Sequence, residues 1–170
     1  MHFLPNRLTV ANCSIFHARQ VNALAYACPS GSGNSSFLNH EYFALYWKGA
    51  ARAVARLHGI VNIDPQSGFA YVHCNNERAN GLTNQALEAQ ARERLEKMFP
   101  KVKVKQKVFV LGPLYPTLFY KPTVGGMLHR KLYFDVGSLQ PRSAEDLADK
   151  LMGLHWEAVL TCEEVQANIL

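Results

Sequence analysis

Residues 101–110 alternate between basic or polar and apolar side chains, and this segment limits the possible folds more than any other. The run reads Lys-Val-Lys-Val-Lys-Gln-Lys-Val-Phe-Val. Successive side chains of an extended strand point to opposite sides, so the pattern predicts a strand with one wet face and one buried face. The basic residues on the predicted wet face are Lys101, Lys103, Lys105 and Lys107.

Two segments instead carry the apolar spacing of three and four residues that is typical of amphipathic helices. The first covers residues 37–58, and the second covers residues 82–99 behind a capping residue, Thr83. We expect a helix over each segment. Three basic side chains recur every fourth residue of the first segment, on a face separate from the apolar one; they are Lys48, Arg52 and Arg56.

A hairpin is predicted after the first helix. Residues 60–63 and 69–74 are short apolar runs, and the turn between them contains Pro65 and Gly68, which suit a tight reversal. Shorter patterns complete the prediction: strands at residues 7–16, 129–136 and 156–160, a short helix near residues 21–28, a loop at 115–127, and helices that open at Ser143 and Thr161.

In this order strands and helices do not alternate strictly, which favours an α+β fold. We expect a mixed or antiparallel sheet with helices packed mainly on one face, and a ferredoxin-like arrangement is one version of it. The length of 170 residues fits a single domain over residues 1–170. Four widely spaced cysteines fit reduced thiols and predict a cytoplasmic protein. The absence of a long apolar run predicts no membrane association.

Charge is distributed unevenly along the chain. Residues 1–96 carry a charge of +2, residues 97–134 carry +8 with no acidic residue, and residues 135–170 carry −5. This separation fits a surface that binds a polyanion. It equally fits a fold in which the basic and acidic segments neutralise each other.

The polyanion interpretation predicts a nucleic-acid-binding accessory protein without catalysis. Side chains on one face of a strand are about 6.6–7 Å apart, and phosphates of one nucleic-acid strand are about 3.4 Å apart, so lysines could meet alternate phosphates. Nearby aromatic rings could stack on bases of RNA or single-stranded DNA. The predicted phosphate-binding residues are Lys101, Lys103, Lys105, Lys107, Lys121, Arg130, Lys131, Lys48, Arg52 and Arg56, and the predicted stacking residues are Phe119 and Tyr120.

Other functions are compatible with the same residues. Lysines on one face are also typical of edge strands, where charge prevents aggregation. A protein–protein adaptor, or a chain that self-associates, would use the basic middle and the acidic end as complementary surfaces. A small nuclease or hydrolase could use Cys28 or His129. The sequence has no ligand spacing typical of a metal site and no phosphate-binding loop, so no cofactor is predicted.

Overall fold

One long strand, β4, organises the fold. In the computed structural model, which describes residues 3–31, 37–127 and 130–167, this strand is Ala50–Ile63. Its first half pairs with β3 (His40–Trp47) and β7 (Tyr115–Tyr120). Its second half pairs with β5 (Ala70–Asn75) and β6 (Gln106–Leu111). β4 therefore joins two halves of one eight-stranded sheet.

The remaining strands extend both halves. In the first half, β1 (Leu4–Asn12) pairs in parallel with β3 and antiparallel with β8 (Lys131–Asp135). In the second half, β2 (Ala25–Pro29) pairs antiparallel with β6. The order is β2-β6-β4-β3-β1-β8, so β2 and β8 are the two ends of the sheet. The parallel pair makes the sheet mixed.

The two ends of the sheet come back toward each other. The ammonium nitrogen of Lys131, on β8, lies 4.0 Å from the centre of the Phe37 ring. That ring is in turn 6.0 Å from the ring of Tyr26 on β2. The sheet is therefore strongly curved around an inner apolar cluster, which includes Phe43, Leu45, Leu57, Ile60 and Phe109.

Five helices accompany the sheet in the described residues: α1 (His17–Ala23), α2 (Glu77–Asn80), α3 (Asn84–Met98), α4 (Ala144–Leu151) and α5 (Cys162–Ala167). The two longest cover the outer face. Along β4, Ala55 and Ile60 belong to the inner cluster, whereas Val54 packs with α4 residues and Val61 packs with α3 residues. The predicted α+β class, with helices mainly on one face, is confirmed. The element order differs from the βαββαβ order of a ferredoxin-like fold.

The approach of α3 to β4 depends on a glycine. A Cβ atom at Gly59 would lie 2.8 Å from the carbonyl oxygen of Cys74 and would also clash with the Leu87 side chain. Leu87 is fully buried in the α3 interface. Gly59 therefore lets helix and sheet approach more closely than any other residue would allow.

The predicted helix over residues 37–58 is wrong, because this segment forms β3, a tight turn and β4. Phe43, Ala44 and Leu45 are all buried, so both faces of β3 are covered and the sequence shows no period of two. The turn residues Lys48 and Gly49 have φ of +50° and +82°. Such angles are those of the two-residue hairpin turns that match the twist of a sheet.

Several smaller predictions are confirmed. The helix over residues 82–99 is α3, and the Thr83 hydroxyl accepts a hydrogen bond from the Ala86 amide at 3.2 Å. The hairpin at residues 60–74 is present, and the helix openings at Ser143 and Thr161 form with their expected caps. The first strand begins and ends earlier than predicted, at Leu4–Asn12. Three further predictions are wrong: most of the short helix predicted near residues 21–28 is β2, the predicted loop at 115–127 begins with β7, and the predicted strand at 156–160 contains the 3-10 helix Trp156–Ala158.

Candidate functional site

The lysine segment is only partly a strand, so the predicted row of four lysines on one strand face is wrong. β6 begins at Gln106, which pairs with Pro29 on one side and with Ile63 on the other. Both partner strands end at these residues. The Lys105 carbonyl oxygen still accepts a hydrogen bond from the Ser30 amide at 2.9 Å, but residues 101–104 pair with no strand in the described part of the chain, so their alternating sequence does not make them a strand. Of the four lysines, only Lys107 lies within β6.

Lys105 and Lys107 nevertheless line a groove, with a volume of about 370 Å³, whose other walls include Asn62, Phe69 and Tyr71. Phe69 is 64% exposed and Tyr71 is 51% exposed. Their ring centres are 6.2 Å apart, with the planes tilted by 41°. Lys107 pairs in register with Asn62, which pairs with Tyr71, so these three side chains share a face. The groove thus combines basic groups with exposed aromatic rings.

Asp64 also lines this groove, but its carboxylate is engaged by its own turn. It accepts a hydrogen bond from the Gln66 amide at 3.0 Å and lies 3.8 Å from the Lys105 ammonium group. The backbone hydrogen bond from Gln66, with further bonds from Ser67 and the charge of Lys105, lowers the pKa of Asp64. Asp64 therefore offsets part of the positive charge of Lys105.

The basic surface continues beyond the groove, around Cys28. Cys28 on β2 is the register partner of Lys107, and both Arg130 and Lys131 act on its thiol from the opposite end of the sheet. Burial raises the pKa of Cys28 to about 11, although these three positive charges oppose the effect. The thiol is therefore protonated at neutral pH, and an activated nucleophile at this position is not supported.

Lys131 is the most enclosed of these cations. Its ammonium nitrogen is buried, and it has no hydrogen-bond partner in the described part of the chain. Burial, together with the positive charge of Lys107, lowers its pKa. The Phe37 ring below it supplies a cation–π contact. An anion placed between the two lysines would relieve their mutual repulsion.

The structure does not bring the remaining predicted basic residues to this site. Lys48 and Lys121 lie at the opposite end of β4, where the Lys121 amide donates to the Gly49 carbonyl oxygen. This end of β4 is about 40 Å from Asn62, measured along the strand. The Arg52 guanidinium donates to the Trp47 carbonyl oxygen at 2.9 Å. Lys101 and Lys103 are exposed in the segment that precedes β6, outside the groove lining. Arg56 forms an ion pair with Glu41 at 2.5 Å.

The predicted stacking residues also fail to form an exposed surface. Phe119 has no exposed area, because it packs between Phe134 and Trp156 in the core. Tyr120 is half-buried, with its ring 5.6 Å from that of His155. Phe69 and Tyr71 are instead the exposed rings that lie beside basic side chains. The alternation at residues 69–73 predicts that these two rings share one face of a strand; Tyr71 lies in β5 and Phe69 directly precedes it, but no local signal reveals that this face is open.

The acidic end of the chain does not neutralise the basic segment in the described residues. Asp135 pairs with Arg7, and Asp146 pairs with Arg142 and Lys150. His129, which the nuclease or hydrolase alternative would use, lies outside the described residues. Within the ranges that are described, no three His, Cys, Asp or Glu side chains could hold a metal ion. No described helix is long and apolar enough to cross a bilayer.

Comparison of the chain with models of protein families, with curated proteins and with solved structures gives no match. The function must therefore be inferred from the groove and the cations around Cys28.

Proposed function

We propose that the protein binds single-stranded nucleic acid, either RNA or single-stranded DNA, in the groove that crosses the end of β4 from β5 to β6. The observation that carries the proposal is the pair of exposed rings, Phe69 and Tyr71, beside Lys105 and Lys107. Aromatic faces stack on bases of any sequence, and lysines neutralise the phosphates between them. A purely solubilising surface has no need of two neighbouring exposed rings.

The row of residues across the sheet gives the bound strand a path. Tyr71, Asn62, Lys107 and Cys28 are register partners on four adjacent strands, and Lys131 faces Cys28 across the gap between the sheet ends. Neighbouring strands are about 4.8 Å apart, so the row spans about 15 Å. At about 3.4 Å per nucleotide, this length accommodates four or five nucleotides. Bases would stack at the Tyr71 end, and phosphates would approach Lys107 and the exposed Arg130 at the other end.

The arrangement supports binding rather than catalysis. Cys28, the nucleophile that lies nearest to the cations, is held as a thiol by burial. Cations and aromatic rings alone position a strand without activating a bond in it. The protein is therefore best described as an accessory factor that holds a single strand.

The test is to remove the rings without changing any charge. Fluorescence anisotropy with a labelled single-stranded oligonucleotide would give the dissociation constants of wild type and of the Phe69→Ala, Tyr71→Ala double variant. Loss of stacking should weaken binding by about ten-fold or more. Met152→Ala is the matched control, because it truncates an exposed apolar side chain on the far side of the sheet, next to α4.

Equal affinities of the double variant and the wild type would contradict the proposed groove. A wild-type chain that retains no oligonucleotide at about 50 mM salt would contradict nucleic-acid binding altogether. If that chain also forms a stable oligomer in light scattering, the adaptor function is favoured instead.

A further inference from the structure

A second cavity, with a volume of about 510 Å³, lies beside β2. This size is within the range of pockets that enclose small organic ligands. It lies next to the proposed groove, because Pro29 and Gln106 line the cavity while the adjoining Ser30 and Lys105 line the groove. A nucleotide strand in the groove could therefore place one of its bases in the cavity. The polar or charged groups that line the cavity include Cys13, Gln20, Tyr26, Cys28, Gln106 and Arg130.

Gln20 is the unusual member of this lining. It is only 3% exposed, yet its Oε1 atom has no hydrogen-bond partner in the described residues. Nearly all buried polar groups in folded proteins are hydrogen-bonded, so an unpaired carboxamide oxygen in a cavity lining has the capacity to accept one more hydrogen bond. The terminal amide torsion of glutamine has two broad minima, and rotation exchanges its oxygen with its nitrogen. Gln20 can therefore present an acceptor and a donor side by side.

The mouth of the cavity is apolar. Ile15 is 82% exposed, and Phe16 and Val104 are also exposed large side chains on its rim. Phe99 adds an aromatic edge, packed at 5.4 Å from the ring of Phe16. Flat heteroaromatic ligands suit such walls, since they bury apolar faces and keep their polar atoms at the edge.

Charge at the rim narrows the class of ligand further. Arg130 is exposed and lines the cavity, and its guanidinium can form two parallel hydrogen bonds to a phosphate. Acidic side chains do not contribute to the described lining. A ligand with a flat polar-edged ring and a phosphate satisfies the carboxamide, the apolar mouth and the cation together.

We propose that this cavity binds a nucleobase, with the carboxamide of Gln20 pairing with its adjacent hydrogen-bond donor and acceptor and Arg130 binding its phosphate. Adenine offers such a pair at N6 and N7, where glutamine binds in bidentate fashion. If the base belongs to a strand that is held in the groove, the inference rests on the proposed function. A free adenosine monophosphate presents the same chemistry and is the other possible source.

The test compares Gln20→Met, which keeps the length of the side chain and removes its amide, with Gln85→Met, an exposed glutamine of α3. Anisotropy would measure the binding of an oligoadenylate and of an abasic strand of equal length. Gln20→Met should bind the oligoadenylate about ten-fold more weakly than wild type, and both proteins should bind the abasic strand equally. Gln85→Met should match wild type on both strands.

Adenosine monophosphate supplies a readout that does not require the variant to fold. In wild-type amide NMR spectra, it should shift the side-chain resonances of Gln20. If it does so while no strand binds, the cavity stands as a mononucleotide site and the proposed groove fails. A different outcome is that strands bind, but Gln20→Met does not change their affinity and adenosine monophosphate does not shift the Gln20 resonances. That outcome overturns the cavity inference and leaves the proposed groove standing. If neither ligand binds, both proposals fail.

Discussion

The ammonium nitrogen of Lys131 lies 4.0 Å from the centre of the Phe37 ring. Lys131 belongs to the last strand of the sheet order and Phe37 contacts the first, so the contact connects ends of the sheet that share no ladder. The same contact holds a positive charge beside Lys107 and Cys28. Closure of the sheet and concentration of charge at one edge therefore have a common origin.

Salt dependence tests the assignment of Lys105 and Lys107 as phosphate contacts. Each contact with a single strand contributes about 0.7 to the slope of log affinity against log salt. The Lys105→Gln, Lys107→Gln double variant should therefore reduce this slope by about 1.4, measured by anisotropy across a salt series. Lys48→Gln, at the far end of β4, should leave it unchanged. Identical slopes for the double variant and the wild type would show that these lysines do not touch the strand.

The cysteines should react slowly in the native protein. Burial raises the pKa of Cys28 and of Cys74 to about 11 and that of Cys13 to about 12. At about pH 7 their reaction with a disulfide reagent should be at least about a hundred-fold slower than after denaturation, because little thiolate is present. The partly exposed Cys162 should react first. Rapid labelling of Cys28, identified by mass spectrometry, would instead revive the hydrolase alternative.

Stability should fall as the pH drops through the range in which His40 titrates. His40 is buried against Thr9, and desolvation, with the charge of Arg7, lowers its pKa to about 4. The unfolded chain binds a proton near pH 6.5, so acid favours unfolding between about pH 6.5 and pH 4. From about pH 7 to 4.5, wild type should lose about 2 kcal/mol more than His40→Gln in urea unfolding. Equal losses would mean that His40 is protonated in the folded protein.

Gly59→Ala should destabilise the fold by about 1–3 kcal/mol, because the added methyl group meets the Cys74 carbonyl oxygen and the Leu87 side chain. Denaturant unfolding measures the effect. Gly126→Ala is the control, since its Cβ would meet no atom within 4 Å, and it should change stability by less than about 0.5 kcal/mol. Combining Gly59→Ala with Leu87→Ala should cost less than the sum of the two single changes. Additive costs would show that Leu87 does not cause the clash.

The sequence predicts much of the fold where a local signal decides the structure. Thr83 and Ser143 cap helices because their hydroxyl groups bond backbone amides within the same segment. The helix over residues 37–58 was a wrong prediction, because alanine-rich, continuously buried strands carry the same apolar content as a helix. Only the burial of both strand faces in the folded protein distinguishes such a strand from a helix, although Lys48-Gly49 is a local indication of a hairpin.

The candidate site was less predictable than the fold. Charge counting draws attention to Lys105 and Lys107, but the extent of β6 depends on where its partners end. Phe119 and Phe69 are both aromatic residues near basic ones in sequence or in space, yet the first is in the core and the second is open to solvent. The choice between them requires the three-dimensional packing.

The length of β4 has a consequence for how the molecule opens. Its backbone is hydrogen-bonded to β3 and β7 near one end and to β5 and β6 near the other. Each of these amides donates to only one neighbouring strand, so it can exchange when that strand separates, and the two halves of β4 depend on different strands. Hydrogen–deuterium exchange along β4 should therefore report each half separately, with one rate for the amides that pair with β3 and β7 and another for those that pair with β5 and β6.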